Sequence, residues 1–338
     1  MNPNWRSFLE STEAVFDGAT DEILNFGDAA GELQAARNQT VLVPLTHLAL
    51  IEAVGEEAKP FLHSQFTSDI NHLGGDQVQH SAWCTAKGRM QASFLVWRDG
   101  DAYQLALAAD LEAASLKRLQ MFVLRAKVKL AALTDSHVLI GVAGPQAAEA
   151  LADADLPCPA APMTTATSGA GKVISLEPNR YIVSLPQEAV STLWQKLTIK
   201  ARPAGLPAWR WLDIQAGFPL VTAATKEEFV PQMADFEKLG GVSFHKGCYP
   251  GQEIVARTQY LGKVKRHLYR VTSDQVLVAG ANLHSPDNPD QACGMIVSGA
   301  PSPIGGFEAL AVVQSNFAGN LHLGTREGPK IEAVAVNP

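Results

Sequence analysis

Apolar residues follow the same order of elements twice between residues 41 and 200. The first pass predicts a strand over residues 48–55, a helix over 56–66, strands over 78–85, 91–97 and 103–108, and a helix over 111–124. The second pass predicts a strand over 137–144, a helix over 146–152, a hairpin of 172–176 and 180–185, and a helix over 187–197. Because Gly55 and Gly144 end equivalent strands, the pattern indicates two related α+β units of ferredoxin-like type.

The pattern changes on either side of this repeat and in one loop inside it. After Arg257, short alternating segments separated by glycine and proline predict a small C-terminal β-barrel, with strands at 266–271, 275–278, 294–297 and 309–313. The first 36 residues read as short amphipathic helices that lie outside the core, and residues 155–171 predict a surface loop. The predicted organisation is an acidic helical N-terminal extension (1–40), a first α+β unit (41–132), a second α+β unit (133–256) and a barrel (257–338).

The length and composition agree with a folded protein of several units. The 338 residues exceed what one core usually holds, and 46% are hydrophobic against 18% charged. The start of the chain lacks the basic-then-apolar order of a secretory signal. The strongest apolar stretches, 41–51 and 138–148, contain Pro44 and Pro145 and are shorter than the ~20 residues of a membrane span. We therefore expect a cytoplasmic protein without a membrane partner.

Charge is segregated along the chain, whose net charge is -7. Residues 10–32 contain seven acids and no base, whereas residues 254–273 contain five Lys or Arg and no acid. The overall charge disfavours direct, nonspecific nucleic-acid binding. The basic run, Arg257, Lys263, Lys265, Arg266 and Arg270, is open to two interpretations: a site for a polyglutamate tail or RNA phosphate, and a solvated strand.

The four cysteines, Cys84, Cys158, Cys248 and Cys293, form no CxxC pair and have no histidine cluster at zinc spacing. This spacing predicts reduced thiols and no metal site, and it argues against a stable iron-sulfur scaffold, which normally needs about four thiolates. The segment Ser168–Val173 suggests a phosphate loop. However, Ala166 and Val173 stand where that loop needs glycine and Ser or Thr, so we exclude nucleotide binding there.

The segment Lys246–Glu253 combines a thiol with glycine, proline and charged neighbours. Gly247 permits a tight bend at Cys248, and Pro250–Val255 suits the first turn of a helix. A helix N-terminus and the Lys246 ammonium both favour thiolate over thiol, so Cys248 and Lys246 are the candidate catalytic residues. The alternative is that Cys248 is a small buried hydrophobe.

The sequence KGCYPGQEIVAR, residues 246–257, resembles the motif of the YgfZ family of folate-binding proteins, relatives of the glycine-cleavage T-protein. Further matching segments are 229–233, 240–244, 260–262, 61–69, 87–90 and 124–128. The resemblance implies a T-protein-like three-domain ring and a tetrahydrofolate site. It also implies a role in the assembly or repair of iron-sulfur enzymes, including one that modifies tRNA, with those enzymes or assembly factors as partners. The candidate folate-binding residues are Tyr249, Gln252, Glu253, Arg257, Lys87 and Arg89.

The sequence departs from the T-protein in the folate loop. That enzyme resembles KGG followed by an acidic pair, whereas Lys87–Ser93 contains no carboxylate, which argues against aminomethyl transfer because acid-base catalysis typically supplies roughly 10² to 10⁴ in rate. Three hypotheses stay open: a folate-dependent accessory protein acting through Cys248, an aminomethyltransferase that uses Asp69 or Glu253 instead, and a non-enzymatic adaptor that docks partners through its acidic extension. We interpret His245 and His267 as structural.

Overall fold

The structure is a computed structural model that describes residues 1–262 and 264–336. Its helices are α1 Pro3–Ser11, α2 Ala29–Asn38, α3 Ala58–Gln65, α4 Glu112–Val123, α5 Ala147–Asp153, α6 Val190–Leu197, α7 Leu206–Ala216 and α8 Gln252–Tyr260. Short 3-10 turns occur at Ile70–His72, Ala109–Leu111, Gln187–Ala189, Pro231–Ala234 and Ser315–Phe317. Within the described ranges, no helix combines the length and apolar character that crossing a membrane requires.

The strands form two larger sheets, one hairpin and one barrel. They are β1 Val15–Phe16, β2 Ile23–Asn25, β3 Val41–Pro44, β4 Leu48–Val54, β5 Val78–Cys84, β6 Met90–Asp99, β7 Ala102–Ala108, β8 Lys129–Ala132, β9 His137–Ala143, β10 Thr165–Ser168, β11 Gly171–Glu177, β12 Arg180–Pro186, β13 Arg202–Pro203, β14 Arg266–Ser273, β15 Asn282–His284, β16 Gly294–Pro301, β17 Phe307–Gln314, β18 Leu321–Leu323 and β19 Lys330–Ala335. One sheet has the order β5-β6-β7-β4-β8 and the other the order β10-β11-β12-β9-β3-β13.

The repeated order of elements predicted from the sequence is present in both sheets. Strand β4 leads through Gly55 to α3, and strand β9 leads through Gly144 towards α5. The two glycines have φ values of 131° and 128°, so the matching positions share a backbone conformation as well as a place in the pattern. The α+β character of this part of the chain is confirmed.

The predicted C-terminal barrel is also present. Strands β14-β17-β16-β15-β18-β19 close on themselves, so that none of them is left as an open edge. Its interior is filled by buried apolar side chains such as Val271, Leu283, Ile296 and Ile331. The segment predicted as a strand at 275–278 is instead irregular, with Val276 and Val278 exposed.

The chain divides into two compact units of interleaved segments. Unit I comprises residues 1–58, 73–79 and 95–209, and unit II comprises residues 59–72, 80–94 and 210–338. The six-stranded sheet lies in unit I, and the barrel lies in unit II. Unit II also contains residues 246–253, which the sequence analysis placed in the second α+β unit.

Two details of unit I differ from the sequence-based expectation. Strand β3, expected at the start of the first α+β unit, pairs with β9 and β13 in the six-stranded sheet. Strand β10 lies within residues 155–171, which were predicted as a loop, and it pairs with β11 from Thr165 to Ser168. The partners of β3 are distant in sequence and invisible in the local pattern, whereas β10 forms a tight hairpin with the adjacent β11.

The first 40 residues belong to the core of unit I, contrary to the expectation of an extension outside it. Trp5, Leu9 and Ile23 are buried in the same cluster as Trp194 of α6. The Trp5 and Trp194 rings meet edge to face with centroids 5.7 Å apart. The short apolar stripe of α1 is therefore one side of a packing interface, although the acids around it made the segment read as a surface element.

We predict that Leu9→Ala destabilises the protein by about 2–5 kcal/mol, because it empties a fully buried position in this core. The matched control is Leu24→Ala in the same segment, where the side chain is 38% exposed, and it should cost less than about 1 kcal/mol. Urea unfolding of both variants measures the difference. Equal stability losses would contradict a core role for α1.

Candidate functional site

The segment Lys246–Glu253 alternates between buried and exposed residues in unit II. Lys246 and Tyr249 are buried, whereas Gly247 and Cys248 between them are exposed. Helix α8 begins at Gln252 after Gly251, which occupies the left-handed region. The thiol of Cys248 is therefore presented at the surface on a bend ahead of a helix, and the interpretation of Cys248 as a buried hydrophobe is wrong.

Gly251 brings a second predicted segment against the motif. Its φ is 83°, and a Cβ on this residue would lie 2.3 Å from the Thr85 carbonyl oxygen and 2.7 Å from the Gly88 Cα. Only a residue without a side chain fits between these backbones. The turn that carries Lys87 and Arg89 thus packs directly on the start of α8, although 163 positions separate Gly88 from Gly251 in the sequence (251 − 88).

Lys246 is the most constrained residue of the site. Its side chain is buried, and Nζ donates to the backbone carbonyls of His63 and Phe66 and, at 3.0 Å, to that of Ser68. The His63 carbonyl lies in the last turn of α3, where helix carbonyls lack partners within the helix, and Phe66 and Ser68 follow the end of the helix. All three ammonium hydrogens are used, so no donor remains for a Cys248 thiolate, and support of that thiolate by the charge of Lys246 stays a prediction.

The other motif residues divide between interior and surface. Tyr249 is buried with Lys246 Nζ 5.1 Å from its ring centroid, and burial raises the pKa of its phenol. Gln252 Nε2 donates to the Lys246 carbonyl at 3.3 Å. Glu253 and Arg257 are exposed on α8. The motif therefore exposes Cys248, Glu253 and Arg257 to solvent, while the buried side chains of Tyr249 and Lys246 anchor it.

The turn before β6 carries the two remaining predicted folate residues. Lys87 is exposed, and Arg89 is half-buried with Nη1 donating to the Glu228 carbonyl. A guanidinium has five N–H donors, so this bond leaves others for a carboxylate ligand. The structure thus places Lys87 and Arg89 beside the motif.

Asp69, expected from the sequence only as a substitute acid, lies shortly after α3 beside two histidines that were not predicted as site residues. The two oxygens of Asp69 face two histidines, with His63 Nδ1 3.3 Å from Oδ1 and His72 Nδ1 2.8 Å from Oδ2. Burial raises the pKa of Asp69, but the hydrogen bond from His72 and the nearby imidazoles outweigh it and the pKa is lowered. Burial, followed by the Lys246 charge, lowers the pKa of His63.

The sequence contains only one indication that His63 belongs to the site. It lies within the segment 61–69 that carried the family resemblance, between the buried Leu62 and the exposed Ser64. No spacing rule links residue 63 to residue 248, because the bonds that join these segments run from the Lys246 side chain to backbone carbonyls. Because every residue has a backbone carbonyl, a hydrogen bond to one cannot be predicted from the identity of its side chain.

The cysteines are unpaired and fall into two classes. Cys84 and Cys293 are buried, and burial raises the pKa of Cys84 to about 12. Cys158 and Cys248 are exposed, with Cys158 Sγ bonded to the Tyr181 hydroxyl at 3.2 Å. In the parts of the chain that are described, no group of three His, Cys, Asp or Glu is placed to hold a metal ion.

Two further sequence features have structural partners. In unit I, Lys172 of the glycine-rich segment donates to the Arg98 carbonyl at 2.7 Å and pairs with Asp99 at 3.2 Å, beside a cavity of about 220 Å³. In unit II, Arg266 and Arg270 of the basic run bond to the Ala292 carbonyl and to Gln215. Lys263 of the same run lies outside the described residues.

His267 has partners on both ring nitrogens. Nδ1 lies 3.1 Å from Asp235 Oδ1, and Nε2 lies 3.2 Å from the Val264 carbonyl oxygen. These bonds are those of a histidine that holds β14 in place, in agreement with its interpretation as structural.

We predict that Lys246→Met lowers the free energy of unfolding at pH 7 by roughly 3 kcal/mol, because three buried carbonyls lose their donor. Lys59→Met is the control, since Lys59 lies on α3, the helix that carries His63, with an exposed side chain. Urea unfolding should show less than about 0.5 kcal/mol for the control.

The contribution of Lys246 should also depend on pH. Burial lowers its pKa from 10.5 to about 8, so between these values the unfolded chain keeps a proton that the folded protein has released. Unfolding then takes up a proton, and raising the pH through this window stabilises the folded state. The stability difference between the wild type and Lys246→Met should therefore grow from pH 8 to pH 10. A constant difference would show that the ammonium is not desolvated.

Comparison with known proteins fits this geometry. The GCVT N-terminal domain model matches residues 14–174. The structure superimposes on the glycine cleavage system aminomethyltransferase T from Bartonella henselae with a TM-score of 0.82 over 99% of this chain and 96% of that chain, at 20% identity. The expected T-protein-like α+β fold is thereby confirmed.

Sequence relatives are closer. The tRNA-modifying protein YgfZ of Shigella sonnei is 33% identical over 255 residues, which are 75% of this chain and 76% of the relative. The protein of the same name from Escherichia coli O157:H7 is 34% identical over 240 residues, which are 70% and 73% of the two chains. With one third of its residues identical over three quarters of its length, the chain belongs to the YgfZ family.

Proposed function

We propose that this protein binds a reduced folate and supports the assembly or repair of iron-sulfur enzymes, among them tRNA-modifying ones, through the thiol of Cys248. The observation that carries the proposal is that Cys248 is exposed on a bend, which the hydrogen bonds of the buried Lys246 hold in place. A thiol that must meet iron, sulfur or a one-carbon unit has to be accessible and fixed in position. The name of the relatives, tRNA-modifying protein YgfZ, supports the choice of client enzymes.

Folate binding is supported by the chemistry of the side chains near the motif. A folate carries a flat pterin ring at one end and glutamate carboxylates at the other. Lys87, Arg89 and Arg257 offer cationic donors of the kind that carboxylates need, and the contact of Gly251 with Gly88 brings the Lys87–Arg89 turn to the motif. These residues fit the carboxylate end of tetrahydrofolate, and when bound the folate would supply one-carbon chemistry.

The residues also bear on the alternative of an aminomethyltransferase. The turn from Lys87 to Ser93 has no carboxylate, so that transfer would need Asp69 or Glu253. Asp69 is engaged by two histidines, and Glu253 is exposed to solvent on α8. Neither is arranged as a general acid or base at pH 7, so we favour binding without aminomethyl transfer.

The adaptor alternative is weakened by the packing of the first 40 residues. Asp21 pairs with Arg6 and the N-terminal amine, and Asp28 pairs with Arg202, so part of the acidic charge is satisfied within unit I. Because Trp5 and Leu9 are core residues, this segment cannot detach to reach a partner without exposing the core. We therefore assign the activity to Cys248, in the cytoplasm where thiols stay reduced.

Tetrahydrofolate should bind the wild type with measurable heat, and Arg89→Ala should weaken binding roughly 10- to 150-fold, since a charge-assisted contact contributes roughly 1.5–3 kcal/mol. Arg326→Ala, which removes an exposed arginine of the barrel, is the control and should bind as the wild type does. Isothermal calorimetry with mono- and triglutamyl tetrahydrofolate makes the measurement. No heat and no thermal shift with either ligand would count against folate binding.

Cys248→Ala should abolish rescue of a bacterial strain that lacks its own homologue, because the reacting sulfur is gone. Cys158→Ala, which removes the other exposed cysteine, should rescue fully. The readout is the amount of an iron-sulfur-dependent modified nucleoside in bulk tRNA, measured by mass spectrometry. Complete rescue by Cys248→Ala would reject the proposed role of the thiol. Formation of methylenetetrahydrofolate from an aminomethyl-lipoyl donor would instead favour the transferase.

A further inference from the structure

The imidazole of His63 lies beside the residue that precedes Cys248. A Cβ placed on Gly247 would be 3.6 Å from His63 Nε2, which is ordinary van der Waals contact. Cys248 follows directly, with its Cα about 3.8 Å from that of Gly247. His63 therefore lies next to the segment that carries the exposed thiol, and Gly247 has no side chain that would cover the imidazole on this side.

The other ring nitrogen of His63 faces a carboxylate. Nδ1 is buried without a hydrogen bond of good angle, and Asp69 Oδ1 lies 3.3 Å from it. A carboxylate favours the tautomer with the proton on Nδ1, which leaves the lone pair on Nε2, the nitrogen towards Gly247. Hydrogen bonds of this kind are often long in the free protein and tighten when a ligand binds.

The protonation state of His63 suits the acceptance of a proton. Burial lowers its pKa, the neighbouring Lys246, His72 and Lys59 act in the same direction, and the Asp69 carboxylate acts against them. The imidazole is therefore neutral at pH 7. Once it takes up a proton, the new positive charge faces the Asp69 carboxylate.

We propose that His63 is the general base for Cys248 and that Asp69 orients it. In this step the S–H bond of Cys248 breaks, its electron pair stays on sulfur, and the proton forms a bond to His63 Nε2. The products are a thiolate and an imidazolium ion that faces Asp69. The inference rests on Cys248 being the reactive thiol of the proposed function, and it adds the residue that activates this thiol.

Lys246 does not fill this role, because its three donors are bound to the carbonyls of His63, Phe66 and Ser68. Lys246 instead positions His63, because its hydrogen bond to the His63 carbonyl fixes the backbone of the residue that carries the base. The arrangement of thiol, imidazole and carboxylate follows the logic of nucleophile, base and orienting acid found in thiol enzymes.

The test is the rate of Cys248 alkylation by iodoacetamide as a function of pH. A Cys158→Ser background leaves Cys248 as the exposed thiol, because Cys84 and Cys293 are buried. His63→Gln should slow alkylation at pH 7 about tenfold and move the rate profile to higher pH, since the thiolate then forms without a base. Asp69→Asn should give a smaller change in the same direction.

The matched control is His245→Gln, which removes an exposed imidazole three positions before Cys248 that faces neither His63 nor Asp69. It should leave the rate within twofold of the background. Thermal melting of each variant checks the fold. A His63→Gln protein that folds normally and keeps the parent rate profile would overturn the proposal.

A second measurement covers the case in which His63→Gln does not fold. The ¹⁵N NMR titration of His63 in the wild type is compared with that in Cys248→Ser. A proton shared between the two groups requires the His63 titration to move when the thiol is lost, and superimposable curves would also overturn the proposal. Neither experiment contains folate or a client enzyme, so failure of folate binding would leave both results interpretable.

Discussion

The site depends on one buried ammonium group that is bound to three backbone carbonyls. Lys246 reaches the end of α3 across 183 positions of sequence, and the residue is only 8% exposed. Neighbouring bonds strengthen the same junction, since Thr67 Oγ1 donates to the Gly241 carbonyl at 2.6 Å and the Ser243 amide donates to the Thr67 carbonyl at 2.9 Å. Burying an ammonium is costly unless its protons are satisfied, so the geometry of this junction is narrowly defined. The position of Cys248, two residues after Lys246, is therefore well defined too.

The charges around this junction form a small balanced set. Burial lowers the pKa of Lys246, the carboxylate of Asp69 acts in the opposite direction, and both charges act on His63. Burial is the main factor that lowers the pKa of His63 and Lys246 adds to it, whereas Asp69 acts in the opposite direction. The carboxylate therefore offsets part of the cost of protonating the ring, which is what a proton acceptor near a reactive thiol requires.

Local pattern was enough to predict much of the fold. The alternation in β4 and β9, the glycines after them and the apolar faces of α4 and α6 are local signals, and each of these elements is present. Elements defined by distant partners escaped prediction, as β3 shows by pairing with β9 and as α1 shows by packing on Trp194. The site followed the same rule. Cys248 and the start of α8 were read from a contiguous motif, whereas His63 was missed because backbone atoms, which carry no sequence signal, join it to the motif.

The three groups near Cys248 differ in how freely they can change. Lys246 cannot be substituted freely, because a shorter or uncharged side chain would leave three backbone carbonyls without a donor. Gly251 is fixed by the backbones of Thr85 and Gly88, which leave no space for a Cβ. His63 is under neither constraint, because its backbone carbonyl accepts the hydrogen bond from Lys246 and its imidazole ring takes no part in that bond. A substitution at position 63 can therefore alter the reactivity of the thiol while the junction stays intact, which makes this ring the place where the chemistry of the site is adjusted.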